Sequence, residues 1–115
     1  MVAHDCGLII NPDGVKNQIE GNIIQSASRA LKERVTWEDS HITSVNWETY
    51  PILKFSEVPE VEVILIDRPD EPPLGAGEPA TITTAPAIAN AIFAACGARV
   101  REIPFTAARV REALR

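Results

Sequence analysis

The stretch DGVKNQIEGNIIQSASRALKE, residues 13–33, governs how the rest of the chain is read. Its apolar residues Val15, Ile19, Ile23, Ala27, Ala30 and Leu31 recur at steps of three and four, the spacing of one face of an amphipathic helix. In front of it, Asn11 supplies a capping side chain and Pro12 takes the first helical position, where a missing N–H costs nothing. A helix from Asp13 to about Glu33 follows. A second stripe on that helix, Gly14, Gln18, Gly21, Gln25 and Ser28, keeps the spacing but is small and polar. Something must approach closely there, either another helix packing through small residues or a ligand.

On the N-terminal side, Val2 to Cys6 reads as the end of a strand entered almost at once, so the start looks cut. His4 and Cys6 share one face of that strand and Asp5 the other, so the three cannot converge on a metal. Towards the C-terminus, Val35 to Glu38 and Ile42 to Trp47 are β-prone runs around a polar Asp39-Ser40-His41 turn, which suggests a hairpin. Tyr50 to Phe55 is interrupted by proline and reads as an extended or edge segment. Val61 to Asp67 is β-branched and nearly continuous in its apolar character, the pattern of a strand buried in a sheet.

Ala80 to Cys96 predicts a second helix, with Ile88, Ala91, Ile92 and Ala95 on one face and Gly97 as its C-cap. Pro86 either kinks it or restarts it behind Thr84 as N-cap. Arg99 to Ile103 suggests a short strand, and Thr106 to Leu114 a terminal helix capped by Thr106. The expectation is one α+β domain over residues 1–115, a small mixed sheet packed by two main helices.

Composition excludes several functions. Hydrophobic residues make up 45% and charged residues 23%, a globular balance rather than a disordered one. The net charge of −5 and the scattered basic residues argue against nucleic acid, which demands a concentrated basic face. No apolar run approaches the roughly 20 residues of a membrane span. The two cysteines, Cys6 and Cys96, form no CxxC pair, so neither a zinc nor an iron–sulfur site is expected from this chain.

Chemistry concentrates in Leu74-Gly75-Ala76-Gly77-Glu78-Pro79, where glycines permit unusual backbone angles directly before an acid and a helix. A dinucleotide-binding glycine loop is rejected: the third glycine is absent, and Glu78-Pro79 would set a negative charge and an N–H-free residue where phosphate docks. The loop suits a carboxylate aimed into a cavity, able to take a proton from a substrate-side group. Without further context an acid in this position is more often a capping or solvated group than a catalytic one. Trp37, Trp47 and Tyr50 could line a funnel or simply pack near the hairpin.

Asp5-Cys6-Gly7, Ile10-Asn11-Pro12, Asn17-Gln18-Ile19-Glu20-Gly21 with Gln25, Tyr50 with Glu57-Val58-Pro59, Gly75 to Pro79, and Ala85 to Ile92 follow one another in this order. Together they resemble the C-terminal part of the molybdenum-binding large subunit of the xanthine dehydrogenase/aldehyde oxidase family, the molybdenum hydroxylases. With Gly97 to Pro104 the resemblance leans to the isoquinoline oxidoreductase-like branch and its aldehyde-oxidising relatives.

The resemblance implies oxidation of aldehydes or N-heterocycles with water as oxygen source, and electrons leaving through iron–sulfur clusters. It makes Glu78 the catalytic base beside the metal, and Gln18, with Gly21, Gly77 and more weakly Gln25, a contact to the molybdopterin cofactor in its cytosine dinucleotide form. The helix N-terminus after Pro79 would favour the charged carboxylate in a partly dry pocket. Implied partners are the remainder of the molybdenum-binding subunit and a small iron–sulfur subunit. The family's large subunit is several times longer, so the isolated chain is expected to be inactive and to hold no cofactor. The rival reading is a non-catalytic α+β domain that self-associates through exposed apolar surface. Purified alone, the chain should carry no stoichiometric molybdenum, iron or zinc by elemental analysis; one tightly held metal per chain would overturn this.

Overall fold

The cap written into Asn11-Pro12 opens the central helix. In the computed structural model, which describes every residue from Met1 to Arg115, α1 spans Pro12–Leu31, and the N–H of Gly14 donates to Asn11 Oδ1 at 2.9 Å. The expected apolar face turns inward through Ile19, Ala27 and Ala30, all buried. Before it, β1 (Val2–Asp5) places His4 inward and Asp5 outward, with Cys6 buried just beyond, as the alternation requires.

The hairpin forms in a shortened version, β2 (Trp37–Glu38) against β3 (His41–Ile42). Its turn is carried by Asp39 in the left-handed region, φ 50°, which aspartate tolerates better than most residues. The chain then turns over Trp47–Thr49, where the Tyr50 N–H donates to the Asn46 carbonyl at 2.7 Å, and continues without regular structure to a 3-10 turn, Phe55–Glu57. From there it enters β4 (Val63–Ile66), which pairs in parallel with β1 in the register Val2 to Val63 through Asp5 to Ile66. The expected α+β architecture is thus present, its parallel and antiparallel pairings residing in two separate two-stranded sheets. The helices cover only one face of the β1–β4 pair. Ile64 and Ile66, expected to be buried in a sheet, point to the uncovered face at 43% and 44% exposure.

The second helix, α2 (Ala80–Cys96), ends at Gly97 with φ 78°, the left-handed C-cap its sequence announces. Pro86 does not restart it: the helix continues through, and Thr84 lies inside, buried, its hydroxyl donating back to the Ala80 carbonyl at 3.0 Å. No strand forms over Arg99 to Ile103. The Arg99 guanidinium sits 3.5 Å over the Phe93 ring and donates to Asn90, which fastens this segment to α2 instead of to a strand partner. Beyond it, the N–H of Phe105 donates to the Ala30 carbonyl at 2.7 Å, and α3 (Ala107–Ala113) starts at its Thr106 cap.

The radius of gyration is 17.0 Å, against roughly 13 Å for a compact chain of about this length. Only 14 of 115 residues are buried, so the interior is a seam between α1, α2 and the parallel strands.

One close approach positions the glycine-rich loop. Gly7 has φ 72°, and a Cβ there would lie 2.2 Å from the Pro72 carbonyl oxygen. Around it, Leu8 N–H donates to Glu71 O and Leu74 N–H to Cys6 O, so the segment ahead of Gly75 is laced to the end of β1. Gly7→Ala should lower unfolding free energy by at least about 1–3 kcal/mol from left-handed strain alone, with the backbone clash adding to it. Urea unfolding reads this; an unchanged midpoint would mean the turn relaxes freely.

Candidate functional site

The small, polar stripe of α1 does not behave as one surface. Gly14 serves the cap through its N–H. At the other end, Ser28 Oγ accepts from the Leu53 N–H at 3.0 Å and holds the extended segment against the helix. Between them, Gln18, Gly21 and Gln25 border an open groove of about 670 Å³. A Cβ built at Gly21 would meet nothing within 4 Å. The expected close approach on this stripe is therefore made by protein at its ends and, from the Gly77 loop, at Gln18, while Gly21 faces open space.

Gly77 closes one side of the groove, and Trp47, Tyr50 and Leu53 the other. Residues singled out in the sequence at positions 18, 21, 25 and 77 thus share one cavity. Glu78, next to Gly77, is exposed, and the hydrogen bonds at this residue go to its carbonyl oxygen, from Thr81 N–H at 3.0 Å and Thr81 Oγ1 at 2.7 Å. Its carboxylate precedes the first turn of α2, whose N-cap residue Pro79 supplies no side-chain cap. Trp47 and Tyr50 border the groove, whereas Trp37 sits in the hairpin, exposed and away from it.

One residue of the site went unread in the sequence. Asn22, buried at 5% exposure, donates its Nδ2 to the Gly77 carbonyl at 2.8 Å and to the Gln18 carbonyl, while its Oδ1 has no partner. A lone asparagine on a helix reads as a solvated residue. The available signal was its place between Ile19 and Ile23, on the flank of the buried face.

Electrostatics at the groove centre on Tyr50, whose hydroxyl donates to Glu33 Oε2 at 2.8 Å. That bond, then desolvation, holds the phenol proton on and raises Tyr50 above the ordinary tyrosine range. Nearby, Lys32 pairs with Glu57 and, with the Lys54 backbone N–H, holds that carboxyl below its usual range. At the foot of β1, the Gly7 N–H and then Arg68 do the same for Asp5. All three groups are solvent-accessible, so these are local orienting effects rather than large stabilising ones.

The chain has a single tyrosine, which makes the Tyr50 effect readable. Its phenol–Glu33 bond is intact below the ordinary phenol range and is lost as pH rises through the raised value. Glu33→Gln should bring phenolate absorbance in at lower pH than in the parent chain. Coincident titration curves would show that Glu33 does not hold the proton.

Comparison with known proteins bears on this groove. A family model described as "Molybdopterin cofactor-binding domain" matches residues 1–59. A nicotinate dehydrogenase subunit of Pseudomonas putida is 54% identical over 114 residues, 99% of this chain and 10% of that protein. The beta chain of isoquinoline 1-oxidoreductase of Brevundimonas diminuta is 38% identical over 102 residues, 89% of this chain and 13% of that protein. Among solved structures, quinoline 2-oxidoreductase from Pseudomonas putida superposes with a TM-score of 0.83 at 27% identity, covering 97% of this chain and 15% of that one. The chain thus spans between a tenth and a sixth of the length of these relatives.

Proposed function

Since the chain belongs to the molybdopterin cofactor-binding domain family of the molybdenum hydroxylases, we propose that it supplies the catalytic base, Glu78, and one wall of the cofactor groove to a complete enzyme. That enzyme would oxidise aldehydes or N-heterocycles with water as oxygen source. The observation that carries this reading is the convergence of Gln18, Gly21, Gln25 and Gly77 on one groove.

The groove suits a pterin on its own chemistry. Two uncharged amide side chains, Gln18 and Gln25, offer both donors and acceptors, as a ring system with alternating N–H and carbonyl groups requires. Gly21 leaves the helix surface between them clear, so a flat group can reach the backbone. Bound molybdopterin, in its cytosine dinucleotide form, would supply the metal and the two-electron redox chemistry.

This chain's residues would then do three things. Gln18, with Gln25, orients the pterin through amide hydrogen bonds. Gly77 lines the groove beside Gln18, whose Oε1 would lie 4.0 Å from a Cβ at position 77, an ordinary van der Waals contact. Glu78, adjacent to the start of α2, takes up a proton on its carboxylate from the group that delivers oxygen to the substrate carbon. Glu78 is exposed in this chain, so the enclosure that makes a carboxylate an effective base must come from the remainder of the molybdenum-binding subunit. Electrons would leave through a small iron–sulfur subunit. For the isolated chain we infer no activity.

The exposed Trp47, Val45, Ile10 and Phe55 serve equally the rival reading, a self-associating non-catalytic domain, and the full-length protein separates the two. Copurifying molybdenum with pterin supports the enzyme, and a metal-free homo-oligomer supports the rival. Within the enzyme, Glu78→Gln should lower turnover by about 10²–10⁴ with molybdenum content and thermal stability nearly unchanged. Gln18→Ala should mainly lower cofactor occupancy. Full turnover of the Glu78→Gln enzyme at normal molybdenum content would make Glu78 a helix-terminus residue and nothing more.

A further inference from the structure

Between Leu74, whose N–H is tied to the Cys6 carbonyl, and α2, the loop makes one hydrogen bond to an element other than α2 itself. That bond comes from Asn22 Nδ2 to the Gly77 carbonyl, across 55 positions of sequence. The same nitrogen also donates to the carbonyl of Gln18. We propose that Asn22 is a positioning residue: its amide nitrogen sets the separation between the Gln18 turn of α1 and the loop that presents Glu78. The proposal rests on the roles given above to Gln18 and Glu78.

The chemistry admits few substitutes. Both acceptors are carbonyl oxygens, and a primary amide offers two N–H bonds from one atom, so it can serve both at once. A carboxylate would turn lone pairs towards two carbonyls, and a serine hydroxyl has one hydrogen on a shorter arm. Asn22 itself is buried, whereas the two residues it ties together, Gln18 and Gly77, are exposed along the groove. The unmatched Oδ1 is consistent with this role. Reversing the amide would aim that oxygen at both carbonyls, so the present orientation persists although one acceptor is left empty.

Glu78 follows Gly77 directly and Ala80, the first residue of α2, is buried, so holding Gly77 leaves the loop little freedom around the acid. Drift of a reacting group by about 1 Å can cost on the order of 10² in rate. Without the clamp, the loop would be held only at its two ends.

The test compares Asn22→Ser and Asn22→Gln in the full-length enzyme. Asn22→Ser should speed hydrogen–deuterium exchange by at least about tenfold at Leu74 and Thr81, whose N–H groups, bonded to the Cys6 and Glu78 carbonyls, bracket the loop. It should also lower kcat by about 10–100-fold with KM and molybdenum content little changed. Asn22→Gln keeps the NH2 donor on a longer arm and should recover much of both losses; a merely structural contribution would not distinguish donor from non-donor in this way. Wild-type exchange and wild-type kcat in Asn22→Ser would overturn the clamp. So would an Asn22→Gln enzyme that exchanges and turns over like Asn22→Ser, and faster exchange without loss of kcat would remove the positioning role. Failure of the wider functional reading looks different: Glu78→Gln would be fully active while the exchange measurement still reports on Asn22.

Discussion

Helix α1 is the member on which α2, β4 and three connecting segments are hung, and the attachments are specific. The loop before α2 is held by Asn22, the extended segment after the hairpin by Ser28 Oγ, and the approach to α3 by the Ala30 carbonyl. Its buried face is built mainly from Ile19, Ala27 and Ala30, so neighbours come close and the seam is narrow. A bulky residue in place of Ala27 or Ala30 would force the neighbouring segments apart, and overpacking of that kind is itself destabilising. The groove is the place along the helix where this contact opens.

What could be read in the sequence was what local physics decides. The Asn11 cap, the face of α1, the Gly97 stop and the Thr106 cap each depend on a few neighbouring residues, and each formed as expected. Arg99 to Ile103 misled because β-propensity expresses itself only where a partner strand exists; Arg99 found an aromatic ring instead. Thr84 misled because a hydroxyl that caps a helix can equally bond back to the preceding turn. Ile64 and Ile66 lie on the bare face because burial depends on what covers a strand as well as on its own side chains.

The candidate site divides in the same way. Gln18, Gly21 and Gln25 share a stripe by helical spacing alone, so their grouping was legible. Gly77 joins them only through tertiary contact, and family resemblance rather than periodicity suggested it. Asn22 was illegible because its role consists of two carbonyl acceptors, one of them 55 positions away. Neither acceptor leaves a trace in residue type.

The pairing of Val2 with Val63 also dictates an order of events. Parallel strands cannot be joined by a tight turn, and everything from α1 to the hairpin lies between these two. Helix α1 and the hairpin can form from neighbours in the chain, whereas strand pairing and the Asn22–Gly77 contact each await a distant segment. Such non-local contacts are the slow ones in folding. Until they close, the glutamines of α1 have only the Trp47, Tyr50 and Leu53 side beside them and lack the Gly77 wall, so a planar ligand would find half a site. The groove is therefore among the last features this chain acquires, and a ligand spanning both walls would favour the completed arrangement over its precursors.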